Sequence, residues 1–207
     1  MTILLSKLFK FAQHIILINN IDESHSLGHS MNVLHFSHNI IQGELLANPY
    51  LEQQRKVIYI SAIIHDTCDN KYMNVDDGLK KINDFLQGEN EINPVEKEIV
   101  KKIITTMSYS KVKKDGFPDL GEYQLAYHIV READLLAAYD FDRCICYQIH
   151  KTNCDIHAAF LNAYELFEKR MFKHNEDGLF ITSYSKKKSI ILHSNAVKRI
   201  HTWKSLL

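Results

Sequence analysis

The stretch Val57-Ile-Tyr-Ile-Ser-Ala-Ile-Ile-His-Asp-Thr-Cys-Asp-Asn-Lys-Tyr-Met73 decides how this chain is read. Its first eight residues are apolar in nearly every direction around a helix, so a helix built from them must be covered on all sides. It runs without a break into His65-Asp66. A helix of this kind sits at the centre of other helices, and the composition agrees: 7 glycines and 3 prolines in 207 residues are too few for a turn-rich sandwich or barrel. The expected fold is all-α, a single-domain helical bundle with an additional C-terminal helix.

Working outward, helical periodicity and stop signals predict helices over 3–18, 27–46, 51–64, 76–86, 94–107, 123–139, 157–174 and 183–207. Residues 1–21 read as an N-terminal packing helix, 22–150 as the core, and 151–207 as C-terminal helices packed on it within the same domain. Asn93-Pro94 with Glu96 supplies a cap, a proline at the first helical position and an acid at the third. Asn74 with Asp77 and Asp119 with Glu122 repeat the cap-to-acid spacing. Residues 108–121 lack a helical stripe, hold Gly116, Pro118 and Gly121, and are expected to form the chief loop.

Lysine plus arginine and aspartate plus glutamate number 25 each, so no net field draws the chain to nucleic acid or an acidic membrane. Beyond Gly178 there are Lys186, Lys187, Lys188, Lys198, Arg199 and Lys204 and no acid. Ile190, Ile191, Leu192, Val197, Ile200 and Trp203 recur there at near-helical spacing. A terminal helix with its apolar stripe packed and its lysines in water accounts for that segment, and no nucleic-acid partner is expected. Four cysteines, no long apolar run and no signal peptide fit a reducing, cytoplasmic setting with no membrane contact.

A His-Asp pair is expected about once by chance in a chain with 12 histidines. Its context carries more. Ser24–Val33 places His25 and His29 one turn apart on one face at the start of a helix. In the segment Tyr127–Asp140, Asp134 lies among Ala133, Leu135, Leu136, Ala137 and Ala138, where a carboxylate has nothing to compensate it. His29, His65, Asp66 and Asp134 thus offer imidazoles and carboxylates from three helices. Such a mixed nitrogen and oxygen set suits one divalent ion (Mn, Fe, Co, Ni, Zn or Mg) and leaves coordination positions for water and a phosphate oxygen.

In this order and with these neighbours, the chain resembles the HD-domain phosphohydrolase superfamily, and within it the bacterial-type HD nucleotide hydrolases. The likeness runs from about Asp22 to Arg143. It is carried by His25 and His29 as the H-x-x-x-H segment, by His65-Asp66 with Asp69, Lys71 and Tyr72 following, and by Ala133-Asp134-Leu135-Leu136. The resemblance implies hydrolysis of a phosphate ester or anhydride in a nucleotide or other small phosphorylated metabolite, with one cation held by His29, His65, Asp66 and Asp134. Asp66 and Asp69 are then catalytic candidates, Asp69 taking or orienting the water's proton, with His25 bonding a phosphate oxygen or leaving group. Lys71, Lys111, Lys113 and Lys114 are candidates for gripping phosphates.

Relatives often carry a histidine ahead of S-x-S, whereas Met107 precedes Ser108-Tyr109-Ser110 here. A catalytically silent module that binds a nucleotide or protein is therefore the alternative. No histidine lies between His65 and His128, which disfavours a two-metal centre. A second set, Cys144, Cys146, His150, Cys154 and His157, is too long for one ion if helical throughout, and only a break near Asn153 would bring its members together.

Overall fold

The structure of the protein, a computed structural model, describes residues 1–207 apart from the side chain of Glu23. Among the described residues there are ten α-helices and no strand: α1 Thr2–Ile18, α2 Leu27–Glu44, α3 Leu51–Ile64, α4 Val75–Gln87, α5 Pro94–Thr106, α6 Tyr109–Asp115, α7 Gln124–Ala137, α8 Phe141–Thr152, α9 Ile156–Lys169 and α10 Ser183–Leu206. None of them is long and apolar enough to cross a membrane.

The all-α expectation holds, and its cause is visible in α3. Val57, Ile58, Ile60, Ala62, Ile63 and Ile64 are all buried, because α2, α5, α7 and α1 surround that helix. At about 25 cal/mol per Å² of apolar area, covering such a segment on every side contributes strongly to holding these helices together. The trio α2, α3 and α7 packs mutually and forms the centre; α8 and α9 pair beside it, and α10 lies across α2 and α7.

The predicted caps act at three helix starts in different ways. Asn93 accepts from the Glu96 amide at 2.9 Å while Glu96 accepts from the Asn93 amide at 2.8 Å, closing the capping box of α5. Asn74 accepts from the amides of Asp76 and Asp77 at the start of α4. Asp119 instead turns back on the Gly121 amide at 2.9 Å, and α7 begins only after a 3-10 turn over Gly121–Tyr123.

Four expectations are corrected. The loop expected over 108–121 contains α6, which runs from Tyr109 to Asp115 and ends where Gly116 takes φ +76°. Val112 gives α6 its one buried anchor, and Lys113 and Lys114 sit in its last turn against the exposed carbonyls. Residues 141–152, outside the predicted helices, form α8, capped by Asp140 on the Arg143 amide and ended by Asn153 in the left-handed region at φ 47°. The helix expected to reach residue 174 stops at Lys169, followed by a 3-10 turn over Met171–Lys173. On α10, Ile190 and Ile191 are 66% and 54% exposed, and the buried line is Ser185, Ser189, Ala196 and Ile200. Small residues let this helix lie close on its neighbours: a β-carbon at Gly43 would stand only 3.2 Å from Tyr184 Cβ.

His174 is fully buried between the rings of Tyr109, Tyr139 and Phe180, and neither ring nitrogen has a hydrogen-bond partner. Burial, reinforced by the Arg170 charge, pushes it down to about 3, against the weaker pull of Asp134 and Asp177. The unfolded chain takes up this proton near pH 6.5 and the folded chain does not, so stability is complete above about pH 6.5 and falls as the pH drops below it. The expected slope from this residue is about 1.4 kcal/mol per pH unit. Urea melts of the wild type and His174→Gln between pH 7 and pH 5 check it: the variant should have the shallower dependence, and parallel curves would refute the assignment.

Candidate metal centre

The three central helices deliver the donors. His29 lies in the first turn of α2, His65 and Asp66 follow the last residue of α3, and Asp134 stands in the last turn of α7. Their side-chain atoms converge. His29 Nε2 is 3.1 Å from His65 Nε2, 3.4 Å from Asp66 Oδ2 and 3.2 Å from Asp134 Oδ1. His65 Nε2 is 3.1 Å from Asp66 Oδ2 and 3.7 Å from Asp134 Oδ1.

Donors bound at about 2.1 Å to one ion lie roughly 3.0 to 3.5 Å apart in octahedral or tetrahedral arrangements, so His29, His65 and Asp66 fit a single divalent cation, with Asp134 Oδ1 beside the two imidazoles at the edge of the set. Two further features agree. His65 Nδ1–H donates to the Ala62 carbonyl at 3.0 Å, which makes Nε2 the nitrogen turned to the cluster, where a cation would displace its proton. Asp66 Oδ2 is buried, and its polar neighbours are the two imidazole nitrogens at 3.1 and 3.4 Å.

The charges point the same way. Burial opposes protonation of His65, yet Asp66 and Asp134 together raise it to about 9. Burial, helped by Arg143, pushes His29 down to about 4. Burial also opposes ionisation of both carboxylates, but the two imidazoles hold Asp66 and Asp134 below the usual carboxylate range. One imidazolium between two carboxylates leaves a buried negative charge, which a cation would neutralise.

Burial within the cluster is lopsided. The histidine side chains are 2% and 3% exposed, the aspartates 17% and 26%. The carboxylates therefore face a cavity of about 340 Å³, a volume suited to one small molecule. A second chamber of about 200 Å³ meets the first at Asp66, Asp69, Lys71, Ser108, Tyr109, Asp134 and Arg170 and runs under α6 past Ser110, Lys111 and Met107.

His25, in a 3-10 turn over Glu23–His25, and Asp69 both line the larger cavity, and their ligand atoms lie within 4.8 Å of each other and of Asp66. Burial, with Lys71 and Arg143 nearby, lowers His25 against the pull of Asp66. Its Nδ1 lies 2.7 Å from Ser24 Oγ and 2.9 Å from the Tyr72 hydroxyl, which itself donates to Asp22. Lys71 also lines the cavity, 3.4 Å from Asp69 Oδ2. The other three lysines separate. Lys111 lines the smaller chamber while its ammonium donates to the Thr105 carbonyl at 2.5 Å, Lys113 is paired with Asp177 at 3.0 Å, and Lys114 lines neither space.

Two cations were not foreseen. Arg143 donates to the Ser24 carbonyl at 2.7 Å and lines the larger cavity; Arg170 stands 4.5 Å from the Tyr109 ring centroid, lines both chambers, and keeps a buried Nε without an acceptor. No spacing in the sequence marks either one: Arg143 reaches the site from α8 and Arg170 from just past the end of α9, and neither element carries a donor to the cluster.

The break imagined for the second cysteine and histidine set does occur at Asn153, yet it gathers no ligand cluster there. Among the described residues, the groups with metal-like closeness are His29, His65 and Asp66, and His25, Asp66 and Asp69. Cys144 is buried, Cys146 exposed, and Cys154 lies near the Gln148 carbonyl.

No family model matches the chain, and no curated protein matches it. Among solved structures it is similar to a Lactobacillus plantarum protein determined as a structural genomics target, at 16% identity and a TM-score of 0.68, with 97% of each chain covered. Likeness at that identity concerns the fold alone.

Proposed function

We propose that this protein is a metal-dependent phosphohydrolase of the HD type acting on a nucleotide or another small phosphorylated metabolite. The observation that carries the reading is the convergence of His29, His65 and Asp66, with Asp134 beside both imidazoles, the imidazole nitrogens lying 3.1 to 3.7 Å from each other and from the carboxylates, at a cavity that His29, Asp66 and Asp134 line.

His29, His65, Asp66 and Asp134 would hold a divalent cation, which would supply polarisation of a phosphoryl oxygen and a lowered pKa for water, the two needs of hydrolysis near neutral pH. The surrounding chain supports that chemistry. Asp69 accepts or orients the proton of the attacking water, being on the cavity wall beside Asp66. His25 presents Nε2 to the same space and accepts a hydrogen bond from the departing hydroxyl or a protonated phosphate oxygen. Lys71, Arg143 and Arg170 add positive charge where a transferred phosphoryl group carries its negative charge. Tyr147, Leu135, Leu166 and Met171 on the cavity walls offer apolar area to the organic part of the substrate.

The test is a turnover screen of the purified protein with Mn²⁺, Co²⁺, Ni²⁺ and Mg²⁺ against nucleoside mono- and triphosphates and sugar phosphates, beside Asp66→Ala. Metal-dependent phosphate or pyrophosphate release by the wild type alone is expected. Equal rates in both proteins would discard the enzyme. Tight nucleotide binding without turnover would favour the silent binding module, the reading motivated by buried Met107 on the wall of the smaller chamber.

A further inference from the structure

We infer that His25, Asp66 and Asp69 form a second cation site beside the first, and that the protein fills it with its own Lys71 ammonium, which holds the centre to one metal ion. The inference rests on the metal-centre reading above and adds to it the reason the site takes a single ion.

The three residues each turn a donor atom into one space, all within 4.8 Å of one another, and Asp66 belongs to both clusters. A carboxylate shared in this way is how two adjacent ions are commonly bridged, about 3.5–4 Å apart. The donor chemistry is complete on the His25 side. Burial and the Asp22 carboxylate push the Tyr72 phenol up, so it keeps its proton and donates it to Asp22. The Tyr72 oxygen is then an acceptor for His25 Nδ1–H at 2.9 Å. That tautomer turns the His25 Nε2 lone pair inward, with a carboxylate at the far end of the chain of hydrogen bonds, the same outer arrangement that orients metal-bound histidines.

What stands against those donors is a positive charge from the chain. Lys71 Nζ is 3.5 Å from His25 Nε2 and 3.4 Å from Asp69 Oδ2, while Asp69 Oδ1 accepts the Lys71 backbone N–H at 2.9 Å. The loop thus fixes the lysine's backbone with one oxygen of Asp69 and meets its ammonium with the other. An ammonium carries one charge and donates hydrogen bonds; it satisfies an imidazole lone pair and a carboxylate without needing the short bonds a divalent ion demands. The Lys71 side chain is 47% exposed, so its removal leaves the fold intact and opens the space it fills.

The experiment is a metal count. Wild type, Lys71→Ala, Lys71→Arg and the double variant Lys71→Ala/Asp69→Asn are saturated with Mn²⁺, freed of excess ion, and measured by elemental analysis and electron paramagnetic resonance. The expected result is one equivalent in the wild type and in Lys71→Arg, two in Lys71→Ala with an exchange-coupled spectrum in place of the isolated six-line signal, and one again in the double variant. One equivalent in Lys71→Ala, or two in the wild type, overturns the inference while leaving the first site standing. No Mn²⁺ in the wild type overturns the metal centre itself, and this inference with it.

Discussion

On the metal-dependent phosphohydrolase reading proposed above, Asp134→Ala is expected to abolish retention of a divalent cation and to lower turnover by at least about 10³-fold. A bound ion provides several kcal/mol of transition-state stabilisation, and each 1.36 kcal/mol is a factor of ten in rate. Asp134 supplies one of four donors and one of the two charges that make the site negative, standing 3.2 Å from His29 Nε2. The variant separates function from folding. Without metal, the wild type holds an imidazolium between two carboxylates, whereas Asp134→Ala leaves His65 and Asp66 as a balanced pair. Its metal-free melting temperature should therefore equal or exceed that of the wild type. Saturating Mn²⁺ at 100 times its dissociation constant should stabilise the wild type by about 2.7 kcal/mol and the variant hardly at all. Calorimetry with and without Mn²⁺, beside rate measurements, reads both effects; an unchanged rate would remove Asp134 from the site.

Glu132→Ala is expected to produce the largest loss of stability, about 3–5 kcal/mol, or a fall in melting temperature on the order of 10 °C. Glu132 is fully buried in α7, two residues before Asp134. Its carboxylate accepts from the Ile181 amide at 2.6 Å, the Thr182 amide at 3.2 Å and the Thr182 hydroxyl at 2.6 Å, which ties α7 to the start of α10. Arg131, 1% exposed, reaches the same carboxylate at 3.4 Å and lies 4.8 Å from the Phe117 ring centroid. Removing Glu132 leaves an uncompensated guanidinium and the buried Thr182 amide without an acceptor in the interior, and frees the part-buried Ile181 amide. Glu132→Gln keeps an acceptor and should lose less. Thermal melts of both variants decide it, and a shift under about 2 °C for the alanine variant would show that α10 is held by apolar packing alone.

The site was legible where burial and chemistry conflict. Histidines and a carboxylate set into apolar helical faces at 29, 65 and 134 are costly unless paired, and that conflict singled them out before any coordinates. The all-α architecture was legible because the α3 sequence is apolar all round. What escaped has equally physical causes. Helix α6 is seven residues long with one buried anchor, too short to impress a period on the sequence, and α8 buries only Phe141, Cys144 and Ile145. Arg143 and Arg170 reach the cavity through tertiary packing, so nothing in their local sequence distinguishes them from ordinary surface arginines. The stripe on α10 was legible in part: Ile200 is buried and Leu192 and Trp203 pack on the core, but Ile190 and Ile191 face outward, and the remaining buried positions are serine and alanine, which a hydrophobicity pattern does not count.

The donors lie on the same three helices that form the centre of the bundle, and they are separated in the chain by up to 105 positions, from His29 to Asp134. An ion gripping all of them fastens the bundle shut, and it must let go before those helices can part. Its grip should therefore show in how long the folded chain persists, as resistance to proteases and slow denaturation, more than in how fast the chain refolds.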